Sequence, residues 1–142
     1  MHVLDSSAIA IILRRLREKS TGVLEGKITL DLARYELGNV IWKECALKGL
    51  IGSEEAKSKA EGMAKMLEIT EIKNVKSSKD FRETMQIALG LDLTFYDASY
   101  LHIAKSHGHT LVTEDEELRE KAKHADTKAT TISELLRQEN WS

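Results

Sequence analysis

The sequence contains no proline and a single cysteine among its 142 residues. It has no proline-rich or glycine-serine segment of the kind that links domains. Cys45 alone can form neither an internal disulfide nor a cysteine-ligated zinc site, so we expect a reducing, cytoplasmic compartment. No apolar run approaches the roughly 20 residues that span a bilayer. We therefore expect one soluble domain over residues 1–142, with no membrane contact.

A large excess of either charge is also missing, since 21 Lys and Arg stand against 23 Asp and Glu. Proteins that contact nucleic-acid phosphates usually carry a basic excess, so charge alone argues against a nucleic-acid function. The first apolar stretch lies between Asp5 and the basic pair Arg14 and Arg15, which reverses the charge order of a signal peptide. Any function must therefore be read from the placement of individual residues.

Short apolar segments alternate with amphipathic helical segments along the whole chain. The pattern predicts strands at residues 2–4, 28–30, 69–75, 110–113 and 129–131. It predicts helices at residues 6–19, 31–48, 53–67, 77–89, 94–106, 115–124 and 132–137, with Gly22 and Gly26 bracketing a turn. Strands that alternate with helices favour a three-layer α/β/α sandwich with a mainly parallel central sheet.

Two acids follow predicted strands. Asp5 comes directly after the first strand, and Asp115 lies just beyond the fourth. The carboxyl ends of parallel strands border the crevice in which open α/β sheets bind ligands. Helix capping is the alternative for Asp115, because Thr113 and Glu116 have the spacing of a capping box. Both interpretations of Asp115 stay open at the level of the sequence.

Glu36 lies beside apolar positions of a predicted helix. On a helical projection it is within about 60° of Val40 and Leu47, so its carboxylate borders the stripe that faces the core. Glutamate is almost never buried without a partner. A side chain that reaches solvent, or one that pairs with Arg34 or Lys43, is the structural alternative.

Asp97 repeats this anomaly in a later helix, and a capping box with Thr94 is compatible with either role. If the four acids converge, their carboxylates repel one another unless a cation neutralises them. Oxygen-only ligation suits a hard divalent ion such as Mg²⁺ or Mn²⁺. Phosphodiester hydrolysis is the chemistry that needs such a cluster, because metal ions can activate water and stabilise the leaving oxygen.

Four segments carry a resemblance to a known family. In chain order they are LDSSAI, YELGNVIWK, GLDLTFYDASYLHIAKSHG and TLVTEDEELREKA. Their order, spacing and structural contexts resemble the PIN-domain ribonucleases and, among these, the VapC-type toxins of toxin–antitoxin pairs. The resemblance covers essentially the whole chain. It implies a PIN-like fold and an Mg²⁺-dependent endoribonuclease whose partners are RNA, a cognate antitoxin and a second copy in a homodimer.

By this resemblance, the four acids form one catalytic and metal-binding quartet. Asp5 and Asp97 would be the principal Mg²⁺ ligands, and Asp115 would complete the first metal site. Glu36 would orient the nucleophilic water or hold a second ion. Because residues 114–117 are all acidic, the assignment to Asp115 depends on register.

Two hydroxyl side chains complete the site that the resemblance implies. Ser7, two residues after Asp5, corresponds to the small hydroxyl that the family places near the metal. Thr113 would take a similar supporting part.

Other classes fit the sequence less well. A haloacid-dehalogenase-type phosphatase needs a second aspartate two residues after the first, where this chain has Ser7. No G-x-G-x-x-G follows the first strand, which disfavours dinucleotide binding. Two alternatives to a toxin remain: a catalytically silent PIN-like module that binds RNA or protein, and a housekeeping RNA-processing nuclease. The intact set of acids favours an enzyme.

Overall fold

Five short parallel strands form the central sheet of the computed structural model, which describes residues 1–141. The strands are β1 (His2–Leu4), β2 (Ile28–Thr29), β3 (Glu71–Ile72), β4 (Thr110–Val112) and β5 (Ala129–Thr130). Their order across the sheet is β3-β2-β1-β4-β5, and every neighbouring pair is parallel. β1 is therefore the central strand, with β4 beside it in continuous register.

Helices connect the strands and cover the sheet. They are α1 (Ser6–Leu16), α2 (Ser20–Leu24), α3 (Leu32–Trp42), α4 (Ser53–Leu67), α5 (Ser78–Leu91), α6 (Phe95–His107), α7 (Glu116–Lys123) and α8 (Ile132–Gln138). A 3₁₀ turn at Arg17–Lys19 joins α1 to α2, and a π-helical turn at Lys43–Leu47 extends α3. In the part of the chain that the structure describes, none of these helices has both the length and the apolar character to cross a membrane.

The strand order reverses direction once, and this reversal places the helices in two layers. From β1 the chain moves outward to β2 and β3, and it then returns past β1 to β4 and β5. Because parallel crossovers are right-handed, the connections before and after β3 lie on opposite faces. Accordingly α3 contacts α1 and α4, whereas α6 contacts α5, β1 and β4. The predicted three-layer α/β/α sandwich is confirmed, and its switch point lies between β1 and β4.

The two central strands are apolar on both faces. Val3 and Leu4 point to opposite sides of the sheet, yet neither is exposed, and the same holds for Leu111 and Val112. Such continuous apolar runs are typical of parallel strands with helices on both sides. The next residue along each strand therefore leaves the core and reaches the rim of the sheet.

The predicted turn between Gly22 and Gly26 is wrong at its first residue. Gly22 lies inside α2, and a Cβ atom there would collide with the indole of Trp141. The close approach of the indole, and not a turn, explains the glycine. Gly26 does make the turn, with a φ of 79° that favours glycine.

Candidate functional site

Asp5 lies at the carboxyl end of β1, where it caps the N-terminus of α1 and is only 5% exposed. Its Oδ1 accepts hydrogen bonds from the Ser7 hydroxyl at 2.7 Å and from the Ala8 backbone N–H at 2.9 Å. Its Oδ2 accepts a hydrogen bond from the hydroxyl of Thr113, the residue that follows β4. Burial raises the pKa of Asp5 against the lowering effect of these donors, and the charge of Glu36 raises it further.

Asp115 lies beside Asp5 and Thr113, and it is the N-cap of α7. Its Oδ1 accepts a hydrogen bond from the Leu118 backbone N–H at 3.2 Å, and its own N–H donates to the Thr113 hydroxyl at 3.1 Å. The capping box predicted from Thr113 and Glu116 is therefore wrong. Thr113 is fully buried, and its hydroxyl donates a hydrogen bond to Asp5 instead of capping the N-terminus of the helix. Capping occupies one carboxylate oxygen of Asp115, on an exposed side chain at the rim.

The four consecutive acids after β4 have different surroundings. Glu114 accepts a hydrogen bond from the Ile132 backbone N–H at 2.8 Å, at the start of α8. Glu117 forms an ion pair with Lys121 at 2.6 Å. Asp115 and Glu117 both lie close enough to Asp97 to raise its pKa. Sequence reasoning missed Glu117, since an acidic run does not reveal which of its members face a neighbouring helix.

Glu36 projects from α3 toward α6, where its Oε1 accepts a hydrogen bond from the Tyr100 hydroxyl at 2.7 Å. The alternative pairing with Arg34 is wrong, because that guanidinium contacts Asp31 at 2.6 Å. Among residues 1–141 no ion pair joins Glu36 to Lys43 either. The side chain is half-buried and has a hydroxyl, not a cation, as its partner.

The apolar stripe that drew attention to Glu36 is buried over only part of its length. Ala33 is fully buried, whereas Val40 is 44% and Leu47 is 66% exposed. The π-helical turn at Lys43–Leu47 changes the helical period, so residues after Trp42 no longer keep the phase that the sequence predicts. Val40 is already exposed before this turn, so the core-facing stripe ends about one turn after Glu36 and the π-helical turn bears only on Leu47.

Asp97 lies in the first turn of α6, where its backbone N–H donates to the Thr94 hydroxyl at 3.1 Å. No reciprocal bond from the Asp97 carboxylate to Thr94 is present within residues 1–141, which leaves this carboxylate free to face the sheet edge. Partial burial raises the pKa of Asp97 to about 6, with further contributions from Asp115, Asp5, Glu36 and Glu117 in that order. Carboxylates from four separate elements thus converge on one place. We call Asp5, Glu36, Asp97 and Asp115 the sheet-edge acids.

The charges and donor atoms of the sheet-edge acids fit a divalent cation. The leading causes of the raised pKa of Asp97 are burial and four negative charges. All the donors are carboxylate or hydroxyl oxygens, which Mg²⁺ and Mn²⁺ prefer. A cation at this edge would stabilise the ionised carboxylates that now repel one another.

A tighter cluster of ligand atoms lies elsewhere, between α5 and α6. Within residues 1–141 it is the one group of three His, Cys, Asp or Glu whose ligand atoms lie within 4.8 Å of one another. We call it the interhelical cluster, and its members are Asp80, Glu83 and His102. The sheet-edge acids are more widely spaced than this, as expected for like charges.

The interhelical cluster contains a buried histidine whose two ring nitrogens face carboxylates. His102 is 2% exposed, and its Nε2 lies 3.0 Å from Asp80 Oδ1 and its Nδ1 3.8 Å from Glu83 Oε2. Asp80 also forms a capping box with Ser77 at the start of α5. The hydrogen bond from His102 and the Ser77 backbone N–H lower the pKa of Asp80 to about 2. The contact between His102 and Asp80 joins α5 to α6.

Comparisons with known proteins agree with this description. The PIN domain family model matches residues 2–124. Two relatives come from Pyrobaculum aerophilum. One, named exonuclease VapC9, is 36% identical over 109 residues, which span 77% of each chain. The other, named ribonuclease VapC3, is 31% identical over 124 residues, 84% of this chain and 92% of the relative. The crystal structure of PAE2754 from that organism is similar at a TM-score of 0.78 with 32% identity, covering 96% of this chain and 94% of the other.

The fold and the site together define an α/β sandwich with several acids at the switch point of its parallel sheet. The chain belongs to the PIN-domain family and, with relatives named VapC, to its VapC-type members, a class of nucleases.

Proposed function

We propose that this protein is an Mg²⁺- or Mn²⁺-dependent endoribonuclease, built as one nuclease domain over residues 1–142. The observation that carries the proposal is the convergence of the sheet-edge acids. Burial, and after it the charges of the neighbouring acids, raise the pKa of Asp97 to about 6. Relatives named as an exonuclease and a ribonuclease support phosphodiester hydrolysis as the reaction. Because one relative is named an exonuclease, the experiment must distinguish internal cleavage from removal of terminal nucleotides.

In this proposal the sheet-edge acids hold the metal. Asp5 and Asp97 are the principal ligands, Asp115 completes the site, and Glu36 orients the attacking water or holds a second ion. A bound divalent ion supplies an activated water and neutralises charge on the phosphate and the leaving oxygen. This division of roles accounts for a buried carboxylate at the mouth of the crevice, with more exposed carboxylates around it.

Ser7 and Thr113 act as supporting residues for Asp5. Their hydroxyls donate to different oxygens of its carboxylate, while the Ala8 N–H makes a third hydrogen bond. Three fixed donors restrict the rotation of Asp5 and orient its remaining lone pairs toward the crevice. Thr113 also accepts the N–H of Asp115, so one hydroxyl sets the positions of two acids.

The proposed reaction is tested with a circular single-stranded RNA, because an exonuclease cannot act on a substrate without ends. Cleavage is expected with Mg²⁺ or Mn²⁺ and absent with EDTA. Asp5→Asn should slow cleavage by more than about 100-fold, since it removes a charge from the metal set. Exposed Asp126 provides a matched control, and Asp126→Asn should cleave at the wild-type rate.

Undiminished cleavage by a folded Asp5→Asn protein would overturn the proposed site, as would full activity in EDTA. Degradation of linear but not circular RNA would mean that the protein is an exonuclease and not an endonuclease. Metal-independent RNA binding without turnover would instead support the alternative of a catalytically silent PIN-like module.

We further propose that the protein is the toxin of a type II toxin–antitoxin pair, a homodimer acting in the cytoplasm. An open groove of about 270 Å³ between α1, α3 and α4 supports an antitoxin partner. Apolar Leu13, Val40 and Ile41 line it, with the charged Arg14 and Glu44 also present. An amphipathic segment of an antitoxin fits such a surface.

Toxin and housekeeping roles predict different effects in cells. Induced expression of the wild-type chain without its antitoxin should arrest growth, and Asp5→Asn expressed to the same level should not. Normal growth at a level that yields active enzyme in the lysate would favour a housekeeping RNA-processing nuclease.

A further inference from the structure

Tyr100 is a buried tyrosine whose hydroxyl contacts a sheet-edge acid. It lies on α6, is 1% exposed, and donates its hydroxyl proton to Glu36 Oε1 on α3 at 2.7 Å. Ser6, at the start of α1, lies close enough to the Tyr100 hydroxyl to lower its pKa against larger raising effects. This single oxygen atom therefore lies where α1, α3 and α6 meet.

Burial raises the pKa of Tyr100, and the hydrogen bond to Glu36 and its charge raise it further. The hydroxyl consequently keeps its proton at neutral pH and acts as a donor. A buried tyrosine hydroxyl usually finds a hydrogen-bond partner, and here that partner is a carboxylate of the proposed site.

Glu36 differs from the other sheet-edge acids in how its carboxylate is held, because its donor is a single side-chain hydroxyl from another helix. Asp5 accepts three hydrogen bonds, and the carboxylate of Asp115 accepts one from the backbone of its own helix. Within residues 1–141, the Tyr100 hydroxyl is the one hydrogen-bond donor to the Glu36 side chain. Glutamate also has more side-chain torsions than aspartate and loses more conformational freedom when it is held in place.

We propose that Tyr100 is a positioning residue of the nuclease site: its hydroxyl holds Glu36 Oε1 so that the carboxylate stays beside Asp5 and Asp97. The charge of Glu36 already acts on both of those acids. By fixing one oxygen, Tyr100 leaves the other available to a metal ion or a water. This inference rests on the proposed function, since it names a residue that serves the same site.

A purely structural role for Tyr100 predicts something different. If only the ring matters, Tyr100→Phe keeps the packing and changes nothing at the site. If the hydroxyl positions Glu36, the same change must act through Glu36 and must have no effect once Glu36 is absent. A double-mutant cycle between the two residues separates these possibilities.

The test measures binding of Mn²⁺ alone, by electron paramagnetic resonance, to four proteins: wild type, Tyr100→Phe, Glu36→Ala and the double variant. Tyr100→Phe should weaken Mn²⁺ binding about tenfold, as is usual when a residue that orients a ligand is lost. In the Glu36→Ala background, Tyr100→Phe should cause no further loss. Cleavage of RNA at saturating Mn²⁺ should show a lower kcat for Tyr100→Phe with an unchanged KM.

Tyr96→Phe is the matched control, because it removes an exposed hydroxyl one turn earlier on the same helix. It should leave Mn²⁺ affinity unchanged. Unfolding in urea verifies that each variant is folded at the assay temperature. Should Tyr100→Phe fail to fold, Glu36→Asp tests the same contact from the other partner, since it keeps the charge and shortens the side chain that reaches the Tyr100 hydroxyl. Glu36→Asp should then weaken Mn²⁺ binding about tenfold, and wild-type affinity would overturn the inference.

Two results would overturn the inference. One is wild-type Mn²⁺ affinity in Tyr100→Phe while Glu36→Ala binds weakly. The other is an equal loss from Tyr100→Phe whether or not Glu36 is present, which would mean that the ring acts on the whole fold. If neither Glu36→Ala nor Asp5→Asn changes Mn²⁺ binding, the proposed function itself fails.

Discussion

The sheet-edge acids and the interhelical cluster both contain carboxylates, but the pKa of an aspartate shifts upward in the first and downward in the second. At the sheet edge, carboxylates face one another, and the pKa of Asp97 rises to about 6. Between α5 and α6, a buried imidazole faces two carboxylates, and the pKa of Asp80 falls to about 2. The difference has two sources: Asp97 is partly buried among other carboxylates, whereas Asp80 accepts hydrogen bonds from His102 and Ser77.

This comparison shows why ligand spacing alone is a poor guide to a metal site. The interhelical cluster has the shorter distances, yet its hydrogen bonds already account for its geometry. The sheet-edge acids are more widely spaced, and burial and neighbouring negative charges raise the pKa of Asp97, so they are the group that gains from an added cation. They also lie at the switch point, the edge at which parallel α/β sheets bind ligands.

The largest expected effect is stabilisation of the fold by Mn²⁺. At a free concentration 100 times the dissociation constant, Mn²⁺ should raise the free energy of unfolding by about 2.7 kcal/mol. The increase should disappear in Asp5→Asn and persist in Glu83→Gln, which removes a charge from the interhelical cluster. Urea titrations with and without Mn²⁺ measure both. Loss of the increase in Glu83→Gln alone would reverse the assignment of the two clusters.

Removal of the His102 imidazole should have the next largest effect, and it should change stability without changing the response to Mn²⁺. His102→Ala leaves a cavity and deprives Asp80 of its hydrogen-bond donor, so the free energy of unfolding should fall by about 2 kcal/mol. Because the interhelical cluster joins helices and does not hold the metal, Mn²⁺ should still stabilise the folded variant. Denaturant unfolding of metal-free and Mn²⁺-bound His102→Ala checks both statements, and a lost response to Mn²⁺ would contradict the second.

The pH dependence of the metal-free protein should show a smaller effect. Because the pKa of Asp97 rises from its ordinary value of 3.8 to about 6, the folded state keeps a proton that the unfolded state releases. Stability should therefore fall as pH rises from about 4 to about 6. Asp97 is only half-buried, so after discounting for solvent screening its share is about 1 kcal/mol.

Asp97→Asn should remove that share and flatten the profile between those pH values, which unfolding curves in EDTA would measure. Asp80 has the opposite sign, since its lowered pKa gives stability that is lost as pH falls from about 4 to about 2. An unchanged slope between pH 4 and 6 in Asp97→Asn would mean that Asp97 lies farther from the other acids than the structure places it.

Much of the fold could be predicted from the sequence, because apolar periodicity encodes local structure. The helix expected at residues 53–67 is confirmed at both ends, and the first strand is confirmed at residues 2–4. The strand expected at residues 69–75 covers only Glu71–Ile72, since at the edge of a sheet pairing with a neighbour, not hydropathy, decides where a strand ends. The apolar pattern of the sequence does not predict the π-helical turn after Trp42.

The candidate site was predictable where it follows directly from a strand, and unpredictable where it depends on tertiary contacts. Asp5 and Thr113 come after adjacent strands, so their proximity follows from a parallel sheet. No sequence pattern reveals that the Tyr100 hydroxyl meets Glu36, or that His102 meets Asp80, because these contacts depend on how helices pack. The catalytic and metal-binding roles of the sheet-edge acids remain predictions.

The most direct measurement is anomalous diffraction from crystals soaked in Mn²⁺. The comparison between the two clusters predicts a peak within bonding distance of carboxylate oxygens of Asp5 and Asp97. A peak at Asp80, Glu83 and His102 with none at the sheet-edge acids would contradict it.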